Sequence, residues 1–173
     1  MNDFDPNNFW EQSDYASSSR VDVPLTDELL ASIEAELGYK LPNAYVELAR
    51  IQNGGIPTCT NHRTSERTSW AEDHVAITGI YAIGRNQTYG LCGKICSQLM
   101  IDEWGYPPIG VYFADCPSAG HDMLCLDYRE CGADGEPQVV HVAQEFDYKI
   151  TFVAKDFASF IQGLEPDEAF DEE

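Results

Sequence analysis

Residues 41–55, Leu-Pro-Asn-Ala-Tyr-Val-Glu-Leu-Ala-Arg-Ile-Gln-Asn-Gly-Gly, constrain the fold more than any other stretch. They read as a helix punctuated at both ends. Pro42, after Leu41, has no N–H and a fixed φ, which suits a first turn whose N–H groups are unpaired anyway. Ala44, Tyr45, Leu48 and Ile51 recur at helical spacing and give one apolar stripe to bury. Asn53, Gly54 and Gly55 stop the helix, because Asn and Gly tolerate the left-handed conformation that closes a last turn. A second helix, residues 26–37, precedes it. Thr26 is its N-cap, Asp27 and Glu28 occupy the first turn where the dipole favours acids, and Gly38 ends it. Its stripe is Leu29, Leu30, Ile33 and Leu37.

Beyond this αα-hairpin the chain is rich in strand signals. Residues 58–73 lack periodicity and read as a long loop. Residues 75–83 read as one strand with a bulge at Gly79. Ile95, Leu99, Met100 and Trp104 place a helix over 93–103. Strands follow at 109–114, 122–128 and 139–142, with a fourth at 149–153, and Phe157, Phe160, Ile161 and Leu164 mark a last helix. Helices first and last with antiparallel-looking strands between them argue for a single α+β domain. Residues 1–24 form an acidic N-terminal arm, 25–164 the domain, and 165–173 an acidic tail expected not to pack. Within the arm Phe4, Phe9, Trp10 and Tyr15 suggest docking, whereas Ser17-Ser18-Ser19 reads as linker.

The order Ile33-Glu34-x-x-Leu37-Gly38-x-x-Leu41-Pro42, then Asn53-Gly54-Gly55, resembles the start of the SUKH superfamily. Pro108-Ile109-Gly110-Val111-Tyr112-Phe113-Ala114-Asp115, then Gly120-His121-Asp122 and Leu124-Cys125-Leu126-Asp127, resemble its central hairpin. Val139-Val140-His141-Val142-x-x-Glu145 is similar to the strand that follows, and Phe157-Ala158-Ser159-Phe160-Ile161 to the closing helix. The resemblance covers roughly residues 25–164. It implies a mostly antiparallel sheet with helices packed around it. It also implies a non-enzymatic protein-binding role: a bacterial immunity protein that neutralises a basic nuclease- or deaminase-like toxin, or alternatively an intracellular scaffold or regulator like the fungal cell-wall-synthesis regulators.

Charge points the same way. The formal net charge is −20; residues 1–24 contribute −4, residues 165–173 contribute −6, and the remainder is itself −10. Such a field repels phosphate backbones and anionic lipid, so no nucleic-acid or membrane partner is expected, and it favours a basic protein partner or serves simply as a solvated surface that keeps the chain soluble. No apolar run approaches the roughly 20 residues that span a bilayer, and the acidic N-terminus lacks a signal pattern, so a cytoplasmic location is expected. Monomer or homodimer is left open, since an exposed edge strand permits a dimer.

Enzyme signatures are weak. His121 beside Asp122, with Cys116 or Ser118 on the same turn, is the one tempting set, but neighbours in sequence do not make a triad. His121 reads better as a turn residue with local hydrogen bonds, and His141 as a hydrogen-bonded sheet position. No catalytic residue, cofactor or metal is assigned: the six cysteines form no Cys-x-x-Cys pair, and Cys92 and Cys96 lack a matching histidine pair. The contact face is assigned to Trp70, Asp73, Asp102, Glu103, Trp104, Asp115 and Asp122, acids near loops and edges with two tryptophan anchors.

Overall fold

A computed structural model describes residues 6–170. Phe4, expected to dock, and the last three residues of the tail lie outside the described residues. The elements run α1 (Pro6–Phe9), α2 (Asp14–Ser19), α3 (Asp27–Leu37), α4 (Asn43–Ile51), β1 (Asn61–Arg63), β2 (His74–Ala76), β3 (Gly79–Ile80), α5 (Ser97–Asp102), β4 (Gly110–Asp115), β5 (Asp122–Asp127), β6 (Gln138–Ala143), β7 (Lys149–Ala154) and α6 (Phe157–Gln162). Five strands form one antiparallel sheet in the order β3-β4-β5-β6-β7, and β1 pairs β2 in a separate small sheet. This is a single α+β domain, as the element order implied.

The main sheet is continuous because its central strands are apolar on both sides. Every residue of β4 and β5 is buried, which requires cover on both faces. α6 packs on β6, β7 and α4, and α5 packs on β4. Adjacent residues of β4 feed two aromatic clusters. Phe113 packs with Tyr45, Phe157 and Phe160 of α4 and α6, while Tyr112 meets Tyr106, which meets Tyr148. The Tyr45 hydroxyl donates to the Tyr81 carbonyl at 2.6 Å, so its one polar atom is satisfied inside the core.

α3 forms as its caps dictate: Thr26 Oγ1 accepts from Leu29 N at 3.1 Å, and Gly38 takes φ +82°. In α4 the stripe is Tyr45, Val46, Leu48 and Ala49, whereas Ile51 is 55% exposed.

Several expectations need correction. Asn53 does not take the left-handed conformation; the positive φ values fall on Gly54 and Gly55. The Asn53 amide instead donates to the carbonyls of Val23 and Ile83, both at 3.0 Å, and accepts from Ile83 N at 2.8 Å. The expected strand over 75–83 is two strands in different sheets. Ile77 N bonds Thr60 O and Thr78 N bonds Asp115 O, so the chain changes partners between them. The expected loop over 58–73 contains β1, and α5 is shorter than the apolar spacing suggested.

The termini differ most. Ser17–Ser19 is helical within α2, capped by Ser13, rather than linker. Trp10 is buried, and a Cβ on Gly55 would come within 2.8 Å of its ring, so Gly55 is the seat for Trp10. Tail residues pack too. Glu165 bonds Asn61 through both backbone groups, and Phe170 stacks on His74 at 4.0 Å between ring centroids.

Candidate functional site

A cleft of roughly 390 Å³ opens where α2, one side of α5 with its flanking residues, and the β4–β5 hairpin meet. Its walls include Tyr15, Tyr89, Leu99, Met100, Trp104 and Met123, and its floor holds Arg20 and Asp115. Arg20 is brought in by α2, which the Asn53–Gly54–Gly55 segment receives. A Cβ on Gly54 would meet Arg20 O at 2.6 Å, and one on Gly79 would overlap Nη1 of the guanidinium. Only glycine leaves room at these two positions.

Arg20 is 2% exposed and donates to both carboxylate oxygens of Asp115, at 2.6 and 2.8 Å. Its guanidinium also lies over the Tyr89 ring, 4.2 Å from the centroid. Two polar atoms here have no partner among the described residues, Arg20 Nε and Tyr81 Oη. Burial, with Asp115 nearby, pushes the Tyr81 hydroxyl well above the usual tyrosine range, so it stays protonated.

Beside the cleft lies a buried polar cluster. Asp122 faces His141 Nε2 at 2.6 Å, and Ser118 Oγ hydrogen-bonds the other carboxylate oxygen. Burial raises the Asp122 pKa, but these hydrogen bonds outweigh it and hold the carboxyl below its ordinary range. Cys116 shares the cluster, and burial next to Asp122 and Asp115 drives its thiol well above 9. The arrangement does not suit nucleophilic catalysis. The carboxylate sits between serine and histidine, so Ser118 bonds a low-pKa carboxylate and not an imidazole base, and Cys116 is held as a thiol. Asp122 engages His141 and not its sequence neighbour. His141 thus takes the hydrogen-bonded sheet position expected of it. His121 is a half-exposed turn residue, with Nδ1 3.0 Å from Gln144 Oε1.

The seven residues expected on a contact face separate into three groups. Asp102, Glu103 and Trp104 stay together: the two acids are exposed at the end of α5 and the half-buried indole lines the cleft. Trp70 and Asp73 are exposed on the 64–73 loop, which Lys149 ties to the start of β7 through Arg67 O at 3.0 Å, and neither lines the cleft. Asp115 and Asp122 are corrections. They end β4 and open β5, strands with neighbours on both sides, so their carboxylates are buried in the Arg20 and His141 pairs and are not offered at an edge.

Sequence reasoning missed Arg20, because it lies in a stretch read as an arm rather than as a wall of the domain; Tyr15, expected to dock, was not foreseen as a cleft residue. It also missed the Cys116–Asp122–His141 convergence, whose members come from the β4–β5 turn, β5 and β6. Among the described residues, these three lie close enough together to hold a metal ion. No helix among the described residues is long and apolar enough to cross a membrane.

No curated protein matches the chain. A family model does: that of the SMI1 / KNR4 family (SUKH-1) matches residues 24–163, taking in both glycine-ended helices, the main sheet and α6. The chain belongs to the SMI1 / KNR4 family (SUKH-1).

Proposed function

We propose that the protein is a non-enzymatic binding module that caps a basic protein, and that it acts as an immunity protein against a basic nuclease- or deaminase-like toxin. Family membership supports a role of the immunity or regulator kind. The observation that carries the choice of a basic partner is the state of the charges. Of the ten Lys and Arg residues, Arg20, Arg50, Arg63, Arg85, Arg129 and Lys149 are held by acids of the chain itself. With thirty acids against ten bases, the surface field is strongly negative. Asp102 and Glu103 are exposed at the end of α5, next in the chain to Trp104, which with Tyr15 lines the cleft and offers aromatic anchoring area.

Exposed carboxylates beside an aromatic anchor steer a cationic partner and fix its orientation, and the aromatic walls supply the desolvated contact. The same surface repels nucleic acid, so the protein would act on the toxin and not on the toxin's substrate.

The test is capture from host lysate at low salt with the tagged wild type and with a D102K/E103K/W104A variant, followed by mass spectrometry. The wild type is expected to retain a basic nuclease-like or deaminase-like chain that moderate salt releases, and the variant to lose it. Equal retention by both would place the contact face elsewhere. Recovery of cell-wall or signalling proteins would favour the regulator reading.

A further inference from the structure

Three side chains of metal-ligating type converge at one end of the sheet. Cys116 lies one residue past the Asp115–Met123 pair, Asp122 opens β5, and His141 faces Leu124 from β6. In this register Cys116 Sγ, an Asp122 oxygen and a His141 ring nitrogen fall within 4.8 Å of one another, and all three residues are buried. We propose that Cys116, Asp122 and His141 bind a zinc ion, with the Ser118 hydroxyl or a water as fourth ligand.

The donor set selects the metal. One sulfur, one imidazole nitrogen and one carboxylate oxygen suit zinc's borderline-soft, four-coordinate preference, whereas magnesium and calcium want oxygen throughout. Charge balance agrees. A thiolate and a carboxylate offset the dication, and a neutral imidazole adds nothing, so the loaded site carries no net charge in a buried place.

Proton and ligand changes are simple. The Cys116 thiol proton leaves to solvent as the sulfur–zinc bond forms. The imidazole binds through Nε2, now 2.6 Å from Asp122 Oδ2, and carries its proton on Nδ1. Nδ1 is buried without a partner before binding as well, so this tautomer orphans no new atom. Zinc–ligand bonds of roughly 2.0–2.3 Å require Asp122 and His141 to part by about 1 Å while the sulfur closes in. Ser118 Oγ already contacts Asp122. Cys116 lines the cleft, which gives the ion its way in.

This proposal is independent of partner binding and is tested on the full chain alone. Metal-free protein is titrated with cobalt(II) as the spectroscopic probe. One ion per chain is expected, with a thiolate-to-cobalt band in the near ultraviolet, strong four-coordinate visible bands, and displacement by zinc. Cys116→Ser should abolish the thiolate band and weaken zinc binding by more than the roughly 10–100-fold that loss of a group merely supporting a ligand costs. A C92S/C96S variant should keep both. Should Cys116→Ser fail to fold, X-ray absorption of the zinc-loaded wild type decides: one sulfur neighbour supports the site, and none overturns it. Absence of cobalt or zinc uptake by the wild type, or uptake unchanged in Cys116→Ser, would also overturn it.

Discussion

Arg20 carries a full charge while almost sealed from water, a position that only a bidentate carboxylate makes tolerable. Arg20→Met should therefore cost about 3–5 kcal/mol, because it strands Asp115 as an unpaired buried charge. Urea unfolding measures this, and the double replacement R20M/D115L should recover part of the loss, since both charges then leave together. Asp127 makes a second prediction. Burial raises its pKa, but the Arg129 guanidinium and backbone N–H, with Gln138, outweigh it, so the folded value lies below the ordinary one. The unfolded chain then binds more protons in the acid range. The Asp127 contribution is full above the unfolded value of roughly 3.9 and is lost as pH falls through the folded value. Asp127→Asn should lower stability at neutral pH by about 1–3 kcal/mol and flatten the acid limb of a stability–pH curve. An acid limb identical to wild type would show that the carboxylate is not titrating in this way.

At the scale of elements, the glycine-ended helices were legible because caps and apolar spacing are local signals, and α3 and α4 follow them closely. The main sheet was legible for the same reason: β4, β5 and β6 are short apolar runs bounded by turn residues. What local signals could not reveal is why Asn53, Gly54 and Gly55 stand where they do. Asn53 bonds Val23 and Ile83, Gly54 accommodates the Arg20 backbone, and Gly55 seats Trp10, all partners far away in sequence. Serine-rich α2 was illegible for a related reason. Its composition resembles linker, and its order comes from tertiary support: Asp22 N bonds Asn53 O, and Gln87 donates to Ser18 O and Val21 O. The N-terminal elements are thus part of the domain although the family match begins after them. Trp10→Ala should cost about 3–5 kcal/mol by emptying its site. Gly55→Ala should destabilise as well, through the ring it would strike and the positive φ it could not adopt. Thermal unfolding checks both, and an unchanged midpoint for Trp10→Ala would mean that the arm is not integral.

At the scale of the whole molecule, composition gave the sign of the field but not its placement. Asp115 and Asp122 were chosen as contact acids from their positions near turns, and the fold spends both on internal pairs. Asp102 and Glu103 remain exposed, and Trp104 reaches the cleft, because α5 ends there. Partner association is therefore expected to be steered by long-range charge around the end of α5 and anchored by the indole. The D102K/E103K change should slow association, whereas Trp104→Ala should mainly speed dissociation. The most direct measurement is the association rate of the captured basic partner with wild-type protein as salt is raised. A fall on the order of tenfold between roughly 0.03 and 0.3 M salt is predicted, as screening shortens the reach of the acidic field. A rate indifferent to salt would contradict the claim that the negative surface selects the partner.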